Sequence, residues 1–259
     1  MIVRLYIFVL FWVSIGHIHG ADEYMETKAA FVKTCVRKDT DFVSCSTQAI
    51  QMLYKQLAIG IEGLEDVQFD PMKLKDIHVV RDGPVNLNTT ITDGVAIGFS
   101  NVVALENYVS PADYSWTTRL HLPKLRIEGQ CDMRGRILLL RLGGSGKCWV
   151  EPSGLDVIVN KKTVLYEKFD HIFFNITDFK VEFEISGLKM HFQNLFDPVE
   201  NLDENTNEYL NENWMPVSEA IRPIITKSIE DNLFETLNRV FSYIPADYFI
   251  SDIKHPSKL

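Results

Sequence analysis

From Asp76 to about Phe192 the apolar side chains fall mainly on every second residue, the period of extended strands with one buried face. Turn signals at Asp82-Gly83-Pro84, Asp93-Gly94, Ser110-Pro111, Gly143-Gly144-Ser145-Gly146 and Pro152-Ser153-Gly154 divide the stretch. The chain is therefore expected to build a long antiparallel sheet here. Two strands change phase part-way. Leu120 and Leu122 are even, but Leu125 and Ile127, after Pro123, are odd; Val181, Phe183 and Ile185 are odd, but Leu188, Met190 and Phe192, after Gly187, are even. An extra residue at each place, as in a β-bulge, keeps the apolar side facing one way while bending the strand, so the sheet is expected to curve strongly.

Helical spacing flanks this region. Ser46 to Ile59 reads as an amphipathic helix capped by Ser46, with Ala49, Ile50, Leu53, Tyr54, Leu57 and Ala58 on one stripe before Gly60. Beyond Phe196 a polar, acidic connector, DPVENLDENTNEYLNEN, leads to a second helix. There Ile221, Ile225, Ile229, Leu233, Leu237 and Phe241 recur every fourth residue, with Trp214 and Val217 ahead of them. Such a helix is about 40 Å long at its usual rise, and Pro223 inside it predicts a kink. Helix, long meandering sheet, long helix is an α+β order.

The first twenty residues, MIVRLYIFVLFWVSIGHIHG, have the layout of a secretory signal peptide: Arg4, an apolar run from Leu5 to Ile15, and a less apolar end at Gly20. That run is too short to cross a bilayer, which takes roughly twenty apolar residues. Cleavage after Gly20 is expected, leaving residues 21–259 as a single domain and moving the net charge from −9 to −10 by loss of Arg4. So acidic a chain is a poor partner for nucleic acid and for anionic membranes. It is expected to be an extracellular monomer without stable membrane insertion, and no receptor can be named for it.

Four cysteines in a secreted chain favour disulfides. Cys35 and Cys45 bracket a short polar loop just before the first helix and are expected to be bonded. Cys131 and Cys148 pair only by elimination. A hairpin turning at Gly143 to Gly146 would leave them roughly 33 Å apart along the strand, where a disulfide needs Cα atoms within about 7 Å. Either the strand folds back near Gly135 or both thiols stay free. Asn88 and Asn175 head sequons for N-glycosylation.

No enzyme is legible. GGSGK at 143–147 has Arg141 and Cys148 where a phosphate loop needs Gly and Ser or Thr, and Lys147 where a nucleophile elbow needs its last Gly. His78, His121, His171, His191 and His255 stand singly, without metal-ligand spacing. The acids from Glu200 to Glu212 lack the calcium-loop pattern, so neither a metal nor a cofactor is expected. What remains is apolar side chains in excess of an ordinary core. Leu53, Leu57, Phe99, Trp116, Leu138, Leu140, Trp149, Phe183, Trp214, Ile225 and Leu233 are the candidates for lining a tunnel.

Several blocks together resemble one family. They are the Cys35 and Cys45 pair, Asp70-Pro71-Met72, Leu138-Leu139-Leu140 before Gly144-Ser145-Gly146-Lys147, LKMHFQNLF, NTNEYLNENW, EAIRPII, and Phe241 with Ile244-Pro245-Ala246-Asp247. Over nearly all of the mature chain they are similar to the takeout and juvenile-hormone-binding-protein family of secreted arthropod carriers, a haemolymph and circadian-related group. The resemblance implies a TULIP-like fold, half of a bactericidal/permeability-increasing-like protein: a long helix wrapped by a highly curved antiparallel sheet, with a second long C-terminal helix and a hydrophobic tunnel. It implies a small hydrophobic ligand, a juvenile-hormone-like terpenoid or fatty-acyl lipid. The Cys131 and Cys148 pair departs from the family pattern. The rival readings are a lipid-transfer or microbial-surface-binding protein, and an extracellular signalling partner that needs no ligand.

Overall fold

The period-two region forms one antiparallel sheet of nine strands in the computed structural model, which describes residues 23–81, 86–137, 140–194 and 200–254. The leader, the turn at Asp82-Gly83-Pro84, Leu138 and His255 lie outside the described residues. The strands are β1 Met72–Lys73, β2 Ile77–Arg81, β3 Asn86–Ile97, β4 Val103–Val109, β5 Trp116–Lys124, β6 Arg126–Ile137, β7 Leu140–Lys168, β8 His171–Glu184 and β9 Gly187–Phe192. The helices are α1 Phe42–Ile59, α2 Glu200–Glu212, α3 Trp214–Tyr243 and α4 Ala246–Phe249.

β7, 29 residues long, is the spine. Along one side it pairs with β6 and then β5; along the other it pairs with β9 and then β8. The expected turns at Gly143–Gly146 and Pro152–Gly154 are therefore strand interior. β6 and β7 are instead paired as far as Ile137 and Leu140, so the chain does not turn at Gly143. Glycine in GGSGK serves close approach instead: a Cβ on Gly146 would lie 2.5 Å from the carbonyl oxygen of Gln193, just beyond β9. Asp93-Gly94 is not a turn either, but an irregularity within β3, where the register against β6 shifts between Thr92 and Val95.

With the reversal moved, Cys131 lies opposite Gly146 and Cys148 opposite Gly129. Their Cα atoms are 5.9 Å apart and the cysteines are bonded, as are Cys35 and Cys45 at 5.8 Å. Replacing Cys131 and Cys148 together by alanine opens a loop spanning 17 residues and is expected to cost about 2–4 kcal/mol in urea unfolding. Equal midpoints for the two proteins would contradict that.

The phase slips are shared, and no extra residue in one strand produces them. Leu122 pairs with Leu155 and Ile127 with Val150 without any change of register; likewise Asp156 pairs with Glu184 and Pro152 with Leu188. Inward-facing Leu122 and Leu125, Pro152 and Leu155, and Ile185 and Leu188 thus switch phase at one level. The result is a crease across three strands. Gly154 marks it in β7 with φ 55°, and a Cβ there would meet the Ser186 hydroxyl at 2.7 Å. Only glycine accepts that backbone at no steric cost.

The sheet does not close into a barrel, and helices seal its edges with side chains. An unpaired strand edge leaves N–H and C=O groups that need partners. On α1, Gln51 accepts from the Ala104 N–H (2.7 Å) and donates to the Val102 carbonyl (3.0 Å), and Thr47 accepts from the Asn107 N–H (2.9 Å). Ser46 lies inside this helix, which begins at Phe42, and its hydroxyl donates to the Asn107 carbonyl rather than capping. The expected acidic connector is likewise a helix, α2. Asn207 both accepts from and donates to the backbone of Phe192 (2.9 Å each), and Asn211 treats Met190 the same way (2.9 and 2.8 Å). On α3, Asn238 does so for Ile176 (2.8 and 3.1 Å). Asn232 accepts from the Lys75 N–H, beyond β1, at 3.0 Å, so α3 bonds to both margins of the sheet. Pro223 sits within α3, which is a single uninterrupted element.

Candidate functional site

The buried side chains do not merge into one core. One cluster gathers α1, α4 and the strands around Trp116 and Phe174; a second gathers the Cys131–Cys148 bond, Met190, Phe192, Leu210 and Val217. Between sheet and α3, touching both clusters, lies a cavity of about 260 Å³. Its wall is the inward row of each strand, brought to one side by the crease, and the face of α3 from Val217 to Leu237. Phe69, packed between Tyr54 and Phe99 with its ring tilted to both at centroid distances of 6.3 and 5.7 Å, bounds it toward α1; the disulfide bounds it at the other cluster.

Of the sequence candidates, Phe99, Phe183, Ile225 and Leu233 stand on this wall. Leu53 and Leu57 do not: they are fully buried under α1, whose one wall residue is Tyr54. Trp116 packs edge-on against Phe174 (5.3 Å) and beside Phe241 (5.5 Å) in solid core. Trp149 points outward because Cys148 and Val150 on either side of it point in; it stacks on His191 and lies under the Arg126 guanidinium at 4.5 Å. Trp214, at the start of α3, packs against the disulfide cluster from its margin. Leu140 is described in its backbone alone. Sequence reasoning left the Cys131–Cys148 bond open and did not place it on the wall, and it missed the Pro152 and Leu155 row, although that row carries the same phase change as its two neighbours.

The chemistry-bearing residues are dispersed. His121 bonds Asp156 and His171 bonds Asp247, each at 2.8 Å, and among the described residues no group of three or more His, Cys, Asp or Glu could hold a metal. Lys161 is the unusual group. It is 2% exposed, its ammonium lies 4.6 Å from the Trp116 ring and 5.0 Å from that of Phe241, and burial pulls its pKa down to about 7. Among the described residues no carboxylate forms an ion pair with it. Asn88 and Asn175 are exposed on the outer face of the sheet.

A creased antiparallel sheet, a helix spanning its margins and an apolar cavity between them define an α+β shell built around an internal space. The chain belongs to the haemolymph juvenile hormone binding protein family, whose model matches residues 8–251. It is similar to the circadian clock-controlled protein daywake of Drosophila yakuba, 22% identical over 80% of this chain and 83% of that one. Daywake of Drosophila melanogaster is also 22% identical, over 84% and 86%. The crystal structure of takeout 1 from Epiphyas postvittana superposes with a TM-score of 0.75 at 20% identity, covering 86% of this chain and all of that one. That likeness shows the fold, and the α+β class expected from the sequence is the one found. No described helix is long and apolar enough to cross a membrane.

Proposed function

We propose that this protein is a secreted, non-enzymatic carrier that holds one small lipophilic molecule in the cavity between the sheet and α3. The observation that carries this reading is the wall itself: aliphatic and aromatic side chains from the inward rows of the sheet and from α3 leave a space of about 260 Å³ unfilled, where a core would ordinarily be packed to crystal-like density. Removing apolar ligand surface from water supplies about 25 cal/mol per Å², enough for a terpenoid or fatty-acyl chain to bind without any covalent step. Family membership supports the ligand class, and the net charge of −9 supports a soluble carrier over a protein that engages anionic membranes. The leader and the exposed sequons at Asn88 and Asn175 suit export and glycosylation.

Ile225, half-buried on the cavity face of α3, provides the test. Ile225→Trp should weaken displacement of a fluorescent fatty acid by terpenoid or fatty-acyl competitors at least about tenfold, a steric loss worth about 1.4 kcal/mol. Circular dichroism should remain that of the parent. A folded variant with unchanged affinity would show that the ligand sits elsewhere; a parent protein that binds no such probe and extracts no lipid from its source would end the carrier reading.

A further inference from the structure

Tyr54 is the side chain by which α1 reaches the cavity. Leu53 and Leu57, on the same buried face of the helix, do not reach the wall. What arrives there is therefore the distal end of the tyrosine, its ring edge and hydroxyl. Among the described residues, the buried side-chain polar atoms that are both without a hydrogen bond and closed to water belong to Thr89, Asn107, Trp116 and Asp252. The Tyr54 hydroxyl has no hydrogen bond to a described residue either, yet it is not one of these atoms, so it opens on free space. Because the residue is only 7% exposed and lines the cavity, that space is the cavity.

Packing does not call for that oxygen. Phenylalanine has the same ring and would fill the position without a hydroxyl that is costly to desolvate unpaired, and a buried tyrosine ordinarily finds a partner for its O–H. The side chains of the wall at this end supply none: Phe69, Met72, Phe99, Val102 and Leu120, gathered in the same cluster as Tyr54, are all apolar. Burial pushes the phenol up to about 12, so at neutral pH it keeps its proton and is a donor.

We propose that the Tyr54 hydroxyl donates a hydrogen bond that orients the cargo: the ligand places one neutral acceptor oxygen, as in an ester, ketone or ether, at the α1 end, and its hydrocarbon remainder runs along α3 toward Met190 and the Cys131–Cys148 bond. The inference rests on the carrier reading and adds the chemical class and direction of the cargo. A carboxylate head is disfavoured. The one cation on the described wall, Arg222, already faces Glu219 and Glu184, so an ionised head would be buried without a counter-charge.

The test is displacement of N-phenylnaphthylamine by methyl dodecanoate, dodecane and dodecanoate from the parent and from Tyr54→Phe. Tyr54→Phe should weaken methyl dodecanoate about five- to tenfold, the loss of one neutral hydrogen bond, and leave dodecane within about twofold. Dodecanoate should bind the parent less tightly than its methyl ester. Infrared spectra of the ester labelled with carbon-13 at the carbonyl should show its stretch at lower frequency in the parent than in Tyr54→Phe, a shift that a merely structural hydroxyl would not produce. Tyr54→Phe should melt no lower than the parent. Equal effects on ester and alkane, or none on either, as for a hydroxyl bonded to a retained water, overturn the donor while leaving the carrier reading intact; so does a variant that melts lower and binds all three competitors equally weakened. Failure of the fluorescent probe and of all three competitors to bind the parent overturns the carrier reading itself.

Discussion

Lys161→Met is expected to stabilise the folded protein at pH 7 by about 2–4 kcal/mol, because each unit of pKa depression represents about 1.4 kcal/mol of differential cost. Burial holds the Lys161 amine at about 7 in place of 10.5, without a counter-ion among the described residues, while two ring faces offset part of the desolvation. The pH dependence follows in sign from proton counting. Between pH 7 and 10.5 the unfolded chain carries a proton at Lys161 that the folded chain has shed, so stability rises with pH across that interval. Above about 10 the trend reverses, because burial pushes Tyr54 up to about 12 and only the unfolded chain then gains by ionising. Urea unfolding at pH 7 and at about pH 9.5 should therefore show the parent gaining stability from this site and Lys161→Met gaining none there. A variant no more stable than the parent, together with a flat parent profile, would refute the assignment.

Asn207→Leu should destabilise by about 2–4 kcal/mol, because it leaves the buried N–H and C=O of Phe192 without partners, each orphan costing about 1–3 kcal/mol. Asn207 is itself 7% exposed, so water does not readily replace it. The control lies two residues away: Asn205 is exposed on the same helix, and Asn205→Leu should change stability by no more than about 0.5 kcal/mol. Hydrogen exchange at the Phe192 amide should accelerate in the first variant and not in the second. Equal stability of the two variants would mean that α2 does not seal β9.

How far these features were legible depends on the range of the interaction. Phase is a local property, so the slips at Pro123 and Gly187 could be counted from the chain alone. Their meaning was not local: a bulge and a shared crease look identical in one strand, and only register against β7 distinguishes them. The third slip was hidden because Pro152-Ser153-Gly154 has the composition of a turn, and Gly143–Gly146 misled in the same way, carrying with it the supposed distance between Cys131 and Cys148. Parity would have placed Trp149 outside, since Cys148 and Val150 alternate with it, but its size argued more loudly than its position. Asn207, Asn211 and Asn238 gave no signal, because an edge-sealing amide is defined by a strand far away in the chain.

The crease across β5–β6, β7 and β8–β9 also bears on how such a chain diverges. Its phase change is written into the backbone of three strands at one level, with Gly154 as the residue that tolerates least. Side chains on either side only set how much room remains. Substitutions along the wall can therefore exchange one cargo for another without redrawing the vessel, and relatives sharing about a fifth of their residues can keep a superposable shape. Inheritance in this lineage would then act on two separate ledgers: a strict one for the bend, and a permissive one for what the bend encloses.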